Sequence, residues 1–114
     1  MKVSEIVELL QGRVITGENI TGHEVERAFA SDLMSDVLTI KTDNLLLLTG
    51  LVNIQAIRTA EMSDIGCIVF VRNKVITEEM INLASECRIT LVQSAFSLFR
   101  ASGVLFRAGI EPVF

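Results

Sequence analysis

Hydrophobic and polar positions along this 114-residue chain form short segments whose period changes several times. Two uninterrupted apolar runs stand out: Leu45 to Leu48, between Asp43-Asn44 and Thr49-Gly50, and Cys67 to Val71, just after Gly66. A strand with one wet face alternates, so these runs predict strands covered on both faces. Ile89 to Val92 reads as a third buried strand. Between them the period becomes helical. Asn53 to Met62 turns Ile54, Ala56, Ile57 and Ala60 inward. Glu78 to Cys87 repeats Met80, Leu83, Ala84 and Cys87 at i, i+3, i+4 and i+7, with Thr77 as its cap and Glu78 and Glu79 at its positive end. Ser94 is expected to cap a last helix running to about Ala108, with Gly109 as its stop and Pro112 beyond it.

The first half is patterned less sharply. Ser4 is expected to cap a helix from Glu5 to Leu10, ended by Gly12. Arg13 to Thr16 reads as a strand and Gly17 to Gly22 as a polar turn. Val25 to Ala30 reads as extended, with Val25, Arg27 and Phe29 on one face, although Glu24, Glu26 and Arg27 suit a helix equally. Ser31 is expected to cap a helix from Asp32 to Leu38. Strand and helix alternate from residue 45 to 108, which predicts βαβ units with right-handed crossovers. The expected fold is a single domain spanning 1–114: a three-layer α/β/α sandwich with a largely parallel central sheet.

The last helix carries two apolar stripes, Phe96, Phe99, Gly103 and Phe106 on one and Leu98, Ala101, Leu105 and Ala108 on the other. A helix lying on one sheet face needs one stripe. Two predict either burial within the domain or an interface with a second copy, for which Phe99, Leu105, Phe106 and Phe114 are the candidate residues. Composition agrees: half of the residues are hydrophobic and 21% charged, an apolar excess that points to self-association, and the expected assembly is a homodimer.

The net charge is −4, no two basic residues are adjacent, and Trp and Tyr are absent. Nucleic-acid binding, which wants a basic patch and stacking platforms, is therefore not expected. Cys67 and Cys87 lie in apolar stretches as free thiols. With His23 as the single histidine no zinc pattern can be written, and neither metal nor cofactor is expected. Met1 to Leu10 carries Glu5 and Glu8 where a signal peptide needs an apolar run, and no stretch is long enough to span a membrane. The expected compartment is the cytoplasm.

In open parallel sheets ligands sit beyond the carboxyl ends of the strands. Those ends here are Thr49-Gly50, Arg72-Asn73 and Gln93-Ser94, two of them leading into helices. Helix N-termini attract anions, so Thr49, Gly50, Asn53 and Ser94, with charge from Arg72 or Lys74, form a candidate site for a small anionic metabolite or nucleotide; ordinary caps and turns are the alternative. Neither GxxxxGK[ST] nor GxGxxG occurs. His23 in a polar turn, the Asp32/Asp36 pair and Cys67 are weak candidates for catalysis or metal, and enzymatic activity is not expected.

Five segments, VITG (Val14 to Gly17), SDLMSDVL (Ser31 to Leu38), LLLLTG (Leu45 to Gly50), CIVFV (Cys67 to Val71) and ITLVQSAFSLF (Ile89 to Phe99), resemble in order and spacing the DRTGG domain family, over nearly the whole chain. That family is similar to the N-terminal domain of HPr kinase and to a central domain of long phosphotransacetylases, and it occurs beside CBS domains. The resemblance implies a three-layer α/β fold, frequent dimerisation and a regulatory role without catalysis. The chain departs from the family's name motif. Leu51, Val52 and Asn53 stand where Asp-Arg-Thr is expected, and Val71 to Lys74 reads Val-Arg-Asn-Lys where Thr-Gly-Gly is expected. An anion site would therefore have to use Arg72 or Lys74. The reading is a regulatory, ligand-sensing domain; the alternative is an interaction module with no ligand.

Overall fold

A computed structural model describes residues 1–17 and 22–114; residues 18–21, the middle of the expected polar turn, lie outside it. The elements run α1 (Val3–Leu9), β1 (Arg13–Thr16), β2 (Arg27–Ala30), α2 (Met34–Val37), β3 (Leu45–Thr49), α3 (Ile54–Met62), β4 (Cys67–Phe70), α4 (Glu78–Cys87), β5 (Thr90–Gln93), α5 (Leu98–Arg107) and β6 (Glu111–Pro112). The six strands form one sheet in the order β1-β5-β4-β3-β2-β6. Only β1 runs antiparallel to its neighbour; the other pairings are parallel.

The apolar runs go where their pattern requires. Every residue of β3 and β4 is buried. Successive side chains point to opposite faces, so Leu45 and Leu47 join one core cluster, with Met34, Ile57 and Met80 from α2, α3 and α4. Leu46 and Leu48 join the other, with Ile6 from α1 and Ala101 and Leu105 from α5. Chirality explains this division. From β2 to β5 each βαβ step moves one place across the sheet in the same direction, and right-handed crossovers then put α2, α3 and α4 on one face. From β5 the chain returns to β6 beyond β2. A right-handed return in the reverse direction must pass over the other face, and α5 lies there.

Several expected boundaries shift. α1 begins at Val3 rather than Glu5, because Lys2, not Ser4, is its N-cap and Glu5 reaches back to the Lys2 amide (3.0 Å). Val25 lies before β2 and packs with α1, on the opposite side from Phe29, so the two do not share a strand face. The helix expected over Asp32 to Leu38 shrinks to α2: the Ser31 hydroxyl accepts from the Leu33 amide, and Asp32 lies before the helix. Ser94 does not cap the last helix. Ser97 does, accepting from the Arg100 amide, while Ser94 is buried, donates to the Leu10 carbonyl (2.9 Å) and accepts from the Phe96 amide (3.2 Å). β6 has no expectation behind it; two residues including a proline carry no strand pattern.

At Gly17, φ is +90° and an added Cβ would lie 2.7 Å from Thr90 Oγ1, so the position that follows β1 needs glycine on both counts.

Candidate functional site

The connections leaving β4 and β5 diverge, α4 to one face and α5 to the other. That is the switch point at which an open parallel sheet offers a crevice. Here backbone bonds close it. The Arg72 amide donates to the Phe96 carbonyl (2.9 Å), Asn73 to Ser94 (2.8 Å) and Ser94 to Phe70 (3.0 Å). Gln93 reinforces the seam by donating to the Lys74 carbonyl at 2.7 Å, and is itself held by Arg13 at 2.9 Å. Ser94, expected at the site, is thus sealed beneath it.

Arg72 and Asn73 both adopt left-handed backbone, φ 65° and 53°. This conformation costs an L-residue roughly 1–2 kcal/mol, little for asparagine and nothing for glycine. The left-handed turn falls where the resembled family places its paired glycines. Here it displays an exposed guanidinium and a carboxamide instead.

One strand further along, the carboxyl edge is built differently. Asp32, just beyond β2, sends Oδ1 to the Gly50 amide (2.7 Å) and to the Thr49 hydroxyl (3.0 Å). The Thr49 oxygen accepts in turn from the Leu51 amide (3.1 Å). Lys74 Nζ donates to the Gly50 carbonyl (2.6 Å). Gly50 is flanked on both sides: a Cβ there would lie 3.4 Å from Asp32 Oδ2 and 3.6 Å from Lys74 Nζ. Asn53 is committed elsewhere, its Oδ1 capping α3 at the Ala56 amide (3.1 Å). Of the six expected ligand residues, Gly50 and Lys74 come together and Arg72 stands in the turn beside Lys74. Thr49 is buried under Asp32, Asn53 serves its helix and Ser94 is enclosed. The sequence points to Asp32 only through a weak Asp32/Asp36 pair; its place here comes from the carboxyl end of β2, which no local pattern marks as part of this edge. Two exposed apolar side chains, Leu33 and Val75, adjoin Asp32 and Lys74 in sequence.

The amino-terminal ends of the parallel strands line a groove of about 540 Å³, with Glu61, Cys67, Cys87 and Arg88 among its walls. Its thiols are poor nucleophiles. Burial pushes Cys67 up to about 12. Cys87 donates to the Glu61 carboxylate (2.9 Å), which raises its pKa, the reverse of what an activated thiol needs. Asp32 and Asp36 do not share a helix, and no group of three or more possible metal ligands occurs among the described residues.

The third feature is apolar. The two expected stripes separate only in part: Phe96, which lies before α5, is buried in the core, and Ala108 at its end is exposed. Ala101 and Leu105 are buried against the sheet, with Leu105 only 1% exposed, so Leu105 cannot take part in an interface. Phe99 and Phe106 face outward at 90% and 69% exposure. With Gly103, Ala28, Ala30 and Ile110 they line a shallow apolar groove of about 340 Å³ beside the β2–β6 edge. Phe114, also 90% exposed, makes an edge-to-face contact with Phe29 across the same sheet edge. Among the described residues no helix is long and apolar enough to cross a membrane.

No family model matches the chain, and no curated protein matches it. A solved structure does: the CBS and DRTGG domains of the regulatory region of Clostridium perfringens pyrophosphatase, complexed with its activator diadenosine tetraphosphate. It superposes with a TM-score of 0.75 over 91% of this chain at 12% identity. This chain spans 45% of that one. The mixed α/β fold, with its six-stranded, mostly parallel sheet and five helices, is that of a DRTGG-like domain.

Proposed function

We propose that the chain is a non-catalytic, cytoplasmic regulatory domain, a three-layer α/β/α sandwich acting as a homodimer, that senses a small anionic ligand of the nucleotide class. The observation that carries this reading is the carboxyl-edge cluster. The Gly50 amide there already holds a carboxylate, Lys74 Nζ lies against the Gly50 carbonyl, and Arg72 projects from the neighbouring turn. An amide that binds one anion is a donor another anion can use, and two cations favour phosphate over carboxylate. Leu33 and Val75 add apolar surface of the kind a nucleobase covers. The solved neighbour is regulated by a dinucleotide polyphosphate, which supports the same ligand class for this domain. Titrating the ¹⁵N-labelled protein with diadenosine tetraphosphate tests it: the amide resonances of Gly50, Arg72, Asn73 and Lys74 should move together and saturate. Movement confined to the amino-terminal groove, or none, would refute the assignment.

The Phe99–Gly103–Phe106 face supports the homodimer. Large exposed apolar patches mark interaction sites, and aromatic residues are enriched at the cores of interfaces. The same face favours the second reading, an interaction module without a ligand. The two readings part at the ligand titration.

A further inference from the structure

Resting on the ligand-sensing reading of the carboxyl edge, we infer that Asp32 is an internal competitor for the ligand's anionic group. Its carboxylate occupies the anion-binding donor of the site and must leave the Gly50 amide before a phosphate can take that place.

At 2.7 Å from the Gly50 amide, Asp32 Oδ1 sits where a phosphate oxygen would sit. Lys74 does not neutralise it: among the described residues the one ion pair within 4 Å joins the Met1 ammonium to Glu24, and Lys74 Nζ bonds to the Gly50 carbonyl instead. The carboxylate therefore faces the position a ligand anion would approach with no ion-pair partner within 4 Å among the described residues. Phosphate has two ways in. It can displace Asp32, or it can bind beside it against like-charge repulsion. Displacement relieves the repulsion and gives the phosphate the amide, Lys74 and Arg72 together.

Displacement has a structural consequence. Asp32 stands between β2 and the one-turn helix α2, and its bonds to Thr49 and Gly50 tie that connection to the end of β3. Releasing Asp32 frees the segment leading into α2, so occupancy at Gly50 is read out in the α2 connection. A regulatory domain needs such a link between its ligand and a movable element.

The test is isothermal titration of diadenosine tetraphosphate into the wild-type chain, Asp32→Asn, Asp32→Ala and Lys74→Ala. Asp32→Asn keeps an oxygen acceptor for Gly50 and Thr49, so it preserves the fold if Asp32→Ala does not. Removing a like charge a few ångströms from the ligand should tighten binding about tenfold or more, and Lys74→Ala should weaken it. In the ¹⁵N spectrum, ligand should shift the amides of Leu33 to Val37 along with Gly50. Unchanged or weaker binding by Asp32→Asn, with Lys74→Ala still impaired, would overturn the competitor role and leave the site standing. Binding indifferent to Lys74, or absent from all four proteins, would overturn both. Binding by Asp32→Asn alone would support the competitor role and overturn ligand sensing by the wild-type chain.

Discussion

Replacing Phe106 by serine separates the domain's two kinds of stability. In the isolated chain the side chain is 69% exposed, so little burial is lost, and surface substitutions of this kind stay within about 0.5 kcal/mol. In a homodimer built on the α5 face the same side chain goes under cover. A phenylalanine buries on the order of 200 Å², so its exposed part amounts to roughly 140 Å². At about 25 cal/mol per Å² that is worth around 3.5 kcal/mol per protomer. A two-fold interface uses the residue twice, giving an upper bound of about 7 kcal/mol per dimer. Half of that would already weaken the dimer several-hundredfold. Sedimentation velocity across a concentration series, beside urea melts of the dilute monomer, reads both quantities. The account predicts an unchanged monomer melt and a dimer dissociated at all accessible concentrations. A wild-type chain monomeric at hundreds of micromolar, or a Phe106→Ser dimer as tight as wild type, would refute the assignment of this face.

Further outcomes follow from the core and the thiols. Ser94→Ala orphans the Leu10 carbonyl and the Phe96 amide in a buried setting and should cost about 2–4 kcal/mol, whereas Ser97→Ala loses an exposed cap worth about 1 kcal/mol; equal losses in urea melts would contradict the assignment of the two serines. Phe70→Ala, at a fully buried site in β4, should cost roughly 3–5 kcal/mol, and a loss under 1 kcal/mol by the same measurement would mean the central strand is misplaced. The raised pKa of Cys87 leaves less thiolate at pH 8, so alkylation should be slower than for a model thiol, and Glu61→Gln should speed it; Cys67 should react only on unfolding.

What was legible in the sequence was whatever a local pattern decides. Leu45 to Leu48 and Cys67 to Val71 could be read as doubly covered strands because uninterrupted apolar runs leave no wet face. Thr77 could be read as a cap because one helix follows it directly, whereas Asn53, read as the first helical residue and as a ligand residue, is the cap of α3. The two stripes of α5 were visible too, but which of them is buried is a tertiary matter. It follows from the reversal of direction after β5, and it moved Leu105 inward and left Phe99 and Phe106 outside. Ser94 and Ser97 lie three residues apart and look equivalent as caps. The choice belongs to the Leu10 carbonyl, a partner 84 residues distant. β6 exists because Glu111 and Pro112 lie beside Arg27 and Ala28, and nothing in those two residues announces it. Asp32 was hidden for the same reason, since its partners Thr49 and Gly50 come 17 and 18 residues later. The left-handed turn at Arg72 and Asn73 is the opposite case. The resemblance to a paired-glycine position was legible, and the structure keeps the glycine-like backbone under a guanidinium and a carboxamide.

The central claim, a ligand-sensing site at the carboxyl edge, is tested most directly by the thermal stability of the wild-type chain and of the Arg72→Ala/Lys74→Ala double variant in rising concentrations of diadenosine tetraphosphate. Ligand at 100 times its dissociation constant stabilises the folded state by about 2.7 kcal/mol, which at this chain length raises the melting temperature by roughly 10 °C. The account predicts a shift that reaches that order and keeps growing with the logarithm of ligand concentration in the wild type, and its loss in the double variant. A flat wild-type curve, or an equal shift in both proteins, would contradict it.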